Sequence, residues 1–483
     1  MKYDLKTISG RKELLESMNL LKEFNNKIVL IGCGAIGTAL IPLLLKLVKI
    51  EKSKITIIDM EKSRFENIKI SGINFKNIKI TKDNFKQILI HDLQLGQDDI
   101  IIDASYGINT TDMFNLCNEF GISYINSSIE VWSNESTLKP VDYTFYSRIS
   151  SLQNIDKKIT QKKNNFLVSM GCNPGNVNIW TLYALEIINK KTINYNWSLY
   201  NELAQKLGLC VVHISERDSQ ITSEPRKLYE YVNTWSSDAV SWYDEAFSFI
   251  ELGWGTHEKT IPNNKNEELS NKYQIILNEK GCMRFAKSYT PINKNLMGML
   301  IRHEECFTIC KKLSIIDNLG LITYKPSCYY VYKCCDSAMI SLNESKENDG
   351  EYQESYRLLT NDIIDGNNEL GCTLFFSNND IYWVGSLLNI EESRLVYNNE
   401  YNEIINATIL QVVAGYIGGL LYLIESIESK IYRGLLLPED LPIKKIIKWT
   451  KPLLGPFGVF KVKDWKINSK DSLNPLQFSD FTI

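Results

Sequence analysis

Apolar and polar positions come in short alternating blocks along the first 130 residues. KIVLI (27–31) is a β-branched run, GCGAIG (32–37) interrupts it, and TALIPLLLKLVKI carries the apolar-rich pattern of a helix. SKITIID (53–59), DDIIIDAS (98–105) and ISYINSS (122–128) are further extended runs, with a helical pattern near TTDMFNLCNEFG between the last two. Strand, helix, strand at this spacing predicts a doubly wound parallel sheet. The alternation fades after about residue 150. SLQNIDKKITQKKNN (151–165) reads as a polar surface helix, and residues up to 390 mix aromatics with short strands. ESKENDGEYQES (344–355) reads as an exposed loop, and helical periodicity returns at 404–430. The expected fold is therefore α/β. A Rossmann-type domain spans 1–172, and a larger α+β domain for catalysis and dimerisation spans 173–483, with a C-terminal segment free to pack back on the first.

A chain of 483 residues is too long for one core. A hydrophobic share of 44% and a charged share of 23% are ordinary for a globular protein, and a net charge of −3 argues against a broad basic face for nucleic acid. Eleven cysteines at scattered spacing do not make a disulfide framework; reduced thiols buried as small hydrophobes, in a cytoplasmic protein, fit better. Cys306/Cys310 and Cys334/Cys335 lack paired zinc-ribbon spacing, so no metal site is read. The N-terminus lacks the apolar core of a signal peptide. The longest apolar stretch, ILQVVAGYIGGLLYLI (409–424), is short for a membrane crossing of about 20 residues and holds three glycines. It reads as a buried core helix, and no membrane segment is expected.

Gly32, Gly34 and Gly37 make a GxGxxG turn between strand and helix, and Asp59 ends the next strand 22 residues beyond Gly37. That context points to a dinucleotide: glycines for the tight turn and close backbone approach, and an acid for the ribose hydroxyls. Asp59 repels a 2′-phosphate and favours NAD, although Lys62 and Arg64 lie near enough to keep NADP open.

Residues 211–260 hold nine Asp/Glu, four Lys/Arg and eight aromatics, a net of −5. Carboxylates interleaved with aromatic faces suit an organic cation; a solvated acidic face over an aromatic core is the plainer alternative. VVHISERDSQ (211–220) reads as an apolar strand ending in ionisable groups, where α/β enzymes place their chemistry. Trp235 in VNTW and Trp254 in ELGWG stand in turn-like contexts that argue against closed packing. Of four histidines, His213 in VVHISERDSQ and His303, beside two glutamates in HEEC, are proton-shuttle candidates; His91 reads as surface and His257 is undecided. Asn173-Pro174-Gly175 reads as a turn whose amide and backbone N–H groups suit a substrate amine or a nicotinamide.

IVLIGCGAIG, GCNPGNV, HISERDSQ, VNTW, ELGWGT, YKPSCYYVY, IIDGNNELG, YWVGSLL and LLGPFGVF occur in one order along nearly the whole chain. In that series the chain resembles the bacterial homospermidine synthases, relatives of the saccharopine dehydrogenase-like dinucleotide-binding enzymes. The resemblance implies a homodimer that uses NAD as a recycled cofactor. It joins two putrescines into sym-homospermidine with loss of ammonia; spermidine is a further candidate substrate.

The resemblance also implies the site residues. Trp235 faces the cationic substrate and Glu216 binds an amine; Asn173, His303 and Asp365 line the pocket, and Glu130 stands near the entrance. Glu245 is a further carboxylate, with Asp244 an alternative to it. The cofactor set is Gly32, Gly34, Ala35, Ile36, Gly37, Asp59, Asp103, Ser105, Asn126, Asn173 and Pro174. HEEC stands where the family has HNES, and YYVYKCC where it has HYAYHPC. The base is left open between His303 and a carboxylate raised by burial. A net oxidoreductase of the carboxynorspermidine or saccharopine dehydrogenase type is the alternative activity, and a non-catalytic NAD binder is a third reading.

Overall fold

The computed structural model describes residues 7–17, 20–68, 70–133, 143–236, 245–348, 350, 355–469 and 476–483. Two compact units emerge: one formed by residues 1–176, 235–237 and 391–454, the other by 177–234, 238–390 and 455–483.

The first unit is built on a seven-stranded, wholly parallel sheet. Its spatial order is Gly434–Leu436, Asn165–Leu167, Ser123–Asn126, Ile100–Asp103, Ile28–Ile31, Ile55–Asp59, Asn74–Asn77. Ile28–Ile31 and Ser123–Asn126 are buried throughout, as strands covered on both faces must be, which is why the first reads as an unbroken apolar run. The Asn109 side chain caps the helix Thr110–Phe120, and Gly121, in left-handed conformation, ends it. Alternation fades after residue 150 because the last strands are three residues long and one comes from the distant segment Gly434–Leu436.

The apolar stretch near 409–424 is part of a longer helix than the run suggests, Ala407–Glu428, capped by Asn406. By length and hydropathy it meets the requirement for a membrane crossing, but 94% of its apolar window is buried. Its glycines explain the burial. A Cβ at Gly415 would lie 1.9 Å from the Gly171 carbonyl oxygen, and one at Gly418 2.7 Å from the Thr450 methyl, so the helix sits on its neighbours closer than any side chain permits.

The second unit carries a nine-stranded mixed sheet. The parallel pair Leu209–Asp218 and Ser327–Lys333 lies at its centre, and antiparallel strands, including Asn367–Phe376, flank it. One face covers an aromatic core that includes Tyr329, Phe375, Trp383 and Phe481. The segment expected as a loop from 344 is helical through Glu347, the end of Asp336–Glu347. The lysine-rich stretch 151–165 is helical only as far as Lys158, the end of the helix Phe145–Lys158. All eleven cysteines are free, and ten are buried.

Candidate active site

In the first unit the chain leaves Ile28–Ile31 at the point where strand order reverses, the position at which doubly wound sheets open a crevice. Gly32 has φ of +89°, and a Cβ there would meet the Ala104 carbonyl oxygen at 2.7 Å. A Cβ at Gly37 would stand 1.9 Å from the Gly32 carbonyl oxygen. Glycine is thus required twice for the helix Ala35–Leu47 to start against the strand with the N–H groups of its first turn available to an anion. Asp59 accepts from the Cys33 and Glu61 N–H groups, which fixes its carboxylate beside the turn.

Asp103 is buried and receives Ser105 through both N–H and hydroxyl, and the Tyr124 hydroxyl at 2.7 Å. Burial raises its pKa against the pull of these donors. Asn126 donates towards Tyr124 and accepts the Ser169 N–H. Asn173 and the buried Pro174 lie in the turn before the helix Asn176–Lys191. Glu130 is half-buried, with its N–H on the Thr110 hydroxyl. Glycine cradle, placed acid and hydrogen-bonded strand ends all fit a dinucleotide.

In the second unit the strand Leu209–Asp218 ends in the ionisable Glu216, Arg217 and Asp218, as expected, and because HISERD lies wholly within the strand its side chains alternate between faces. His213 points into the aromatic core, 4.5 Å from Phe481 and 4.9 Å from Phe375 by ring centroids. Burial lowers its pKa from 6.5 to about 3, which leaves it a neutral core residue rather than a proton shuttle. Glu216 faces the other way. Its carboxylate accepts from the Tyr330 hydroxyl at 2.6 Å and the Asn368 amide at 2.8 Å, supplied by the two neighbouring strands. Asp218, two residues on, is held by Thr234 and Gln220.

The Tyr330 ring lies 4.3 Å from that of His303 and stacks on Tyr332 at 5.5 Å. His303 precedes the helix Glu304–Lys312, whose N-terminus favours the carboxylate of Glu305 in its first turn. Nδ1 of His303 lies 3.1 Å from Glu305, and Nε2 lies 3.8 Å from Glu245. Burial opposes charge on the ring, but Glu305 and then Glu245 outweigh it and hold the His303 pKa well above 6.5. The imidazolium is the resting form.

The structure therefore brings Glu216, His303 and Glu245 together with Glu305, one of the two glutamates of HEEC, and adds Tyr330, Tyr332 and Asn368, which sequence reasoning missed. The strand alternation of YYVYK, placing Tyr330 and Tyr332 on one face, was the available signal. Asp365 is exposed at the end of Ile363–Asp365, its carboxylate on the Gly366 N–H. Trp235 is half-buried just after Glu230–Asn233, and Asp244 lies outside the described residues. Trp254 is packed in the aromatic core against Phe478, contrary to the expectation for ELGWG. His91 is exposed, and His257 accompanies Glu258 near the Leu476 carbonyl. The acidic excess of 211–260 divides as well: Glu230 pairs with Arg357 and Glu251 with Arg302, so part of it is structural.

A glycine-cradled parallel sheet and a second, mixed-sheet unit define a two-domain dinucleotide-binding protein of the α/β class. The family model for the saccharopine dehydrogenase NADP binding domain matches residues 28–179. The homospermidine synthase of Blastochloris viridis is 30% identical, with 91% of each chain covered, and that of Mesorhizobium japonicum 28%, with 93% covered. A crystal structure of the Legionella pneumophila homospermidine synthase in complex with NAD superposes with a TM-score of 0.85 at 32% identity, over 95% of this chain and 98% of that one. The chain belongs to the homospermidine synthase family.

Proposed function

We propose that this chain is an NAD-dependent homospermidine synthase that converts two putrescines into sym-homospermidine and ammonia. The observation that carries the chemistry is the buried Glu216 carboxylate, held by the uncharged donors Tyr330 and Asn368 beside an aromatic wall. Bound NAD takes a hydride from the carbon bearing one amine of putrescine and returns it once the second amine has added and ammonia has left. Gly32, Gly34, Ala35, Ile36 and Gly37 hold its pyrophosphate, Asp59 its ribose, and Asp103, Ser105, Asn126, Asn173 and Pro174 line the rest of its site. Asp59 favours NAD over NADP, in keeping with the NAD complex of the Legionella relative rather than the NADP of the domain description.

Glu216 holds the distal ammonium and fixes the reacting carbon. Tyr330 and Tyr332 form a wall that keeps water from the imine, while Trp235, through its indole face, stabilises the iminium by about 2 kcal/mol. His303, charged at rest, acts as proton donor to the departing ammonia, and the base is Glu245, 3.8 Å from His303 with its side chain 31% exposed. Asp365 and Glu130 contribute outer carboxylates for the cationic substrate. Reduced buried cysteines support a cytoplasmic setting, and the protein acts as a homodimer, with spermidine a further candidate substrate.

Incubating the purified protein with putrescine and a trace of NAD tests this directly. Homospermidine is expected in excess of the NAD present, without lasting NADH. Equal amounts of 4-aminobutanal and NADH, and no triamine, would replace the reading with a net dehydrogenase.

A further inference from the structure

Tyr330 is the side chain that touches both halves of the acidic cluster. It lies on the strand Ser327–Lys333, parallel to Leu209–Asp218, with its Cα opposite Ile214, so its side chain shares a face with Glu216. Its hydroxyl reaches Glu216 at 2.6 Å, and its ring centroid lies 4.3 Å from that of His303 and 5.5 Å from that of Tyr332. The side chain is 3% exposed, so neither contact competes with solvent. We propose that Tyr330 is a positioning residue of the amine site: its hydroxyl aims the Glu216 carboxylate, and its ring fixes the plane of the His303 imidazole, so that ammonium binding and proton donation share one geometry. The proposal rests on the amine-binding reading of Glu216 given above.

A donor to a carboxylate favours its ionised form, so losing that donor raises the pH at which Glu216 takes up a proton. Tyr330→Phe removes the hydroxyl and keeps the ring. In the NAD-loaded protein, binding of 1,4-diaminobutane, followed by calorimetry without turnover, is expected to weaken about tenfold. The acid limb of kcat/KM is expected to move to higher pH by about one unit. Tyr324→Phe deletes another largely buried hydroxyl, bonded to the Leu209 carbonyl at 2.8 Å, and moves neither quantity. Placing 3-fluorotyrosine at 330, nearly isosteric and a stronger donor, shifts the limb the other way, so the test stands even where the Phe variant does not fold. Wild-type diamine affinity and an unmoved acid limb in the variants overturn the proposal, whatever happens to thermal stability. A wild type that binds diamine but forms no triamine overturns the reaction instead and leaves the binding comparison intact.

Discussion

Glu305 shows how one side chain sets the charge of another. It is fully buried at a helix start, and it lies beside Nδ1 of His303. Replacing it by Gln keeps the shape and removes the charge that, after burial, acts most strongly on the ring. The His303 pKa then falls toward 6.5, and the alkaline limb of the kcat/KM profile moves to lower pH by about one unit, read from initial rates between pH 6 and 10. The raised pKa is also a stability statement. Its stabilisation is fully present below 6.5 and is lost as pH rises through the higher folded value, so the Tm of the wild type declines over that window more than that of Glu305→Gln. Identical pH profiles would mean that Glu305 is a packing residue. His303 was legible as a candidate because it stands beside two glutamates in the chain; its protonation state was not, because Glu245 comes from 58 residues away.

The helix Ala407–Glu428 is the element on which the first unit closes. It packs on Ala35–Leu47, and the Tyr416 hydroxyl donates to the Asp103 carbonyl at 2.7 Å. Gly415→Ala puts a methyl into the Gly171 carbonyl, so the helix has to move off the turn that carries Asn173. Overpacking of this kind costs about 1–3 kcal/mol, and a lower Tm with weaker NAD binding by fluorescence titration is expected. Gly458→Ala, where a Cβ meets nothing within 4 Å, is expected to stay within about 0.5 kcal/mol of wild type. Equal effects of the two changes would show that close approach is not why glycine is present at 415. The apolar run announced this helix; its partners were hidden, since a run of small and apolar residues fits a protein core and a lipid phase equally well.

For the molecule as a whole, acid stability follows from the aromatic core of the second unit. His213 is neutral there, with a pKa near 3, whereas in the unfolded chain it protonates near 6.5. Between those values the unfolded state binds the extra proton, so stability falls with falling pH by about 1.4 kcal/mol per unit from this group alone. His213→Gln, which cannot titrate, is expected to flatten that part of the stability curve in urea melts from pH 7 to pH 4 while leaving homospermidine formation in place. A steep curve retained in the variant would assign the acid sensitivity elsewhere. Glycine spacing, an acid 22 residues on and β-branched runs were enough to determine the parallel sheet and its nucleotide turn, because those features rest on local backbone geometry and on contacts close in sequence. An acidic, aromatic composition raised the expectation of a cation site, which is proposed above around Glu216. Which carboxylates gather there was decided by tertiary structure alone: strand pleating sends His213 and Glu216 to opposite faces, Tyr330 and Asn368 reach Glu216 through register between strands far apart in the chain, and His303 lies against the Tyr330 ring. Charge and hydrogen bonding act through space, and a linear order of residues does not contain those distances.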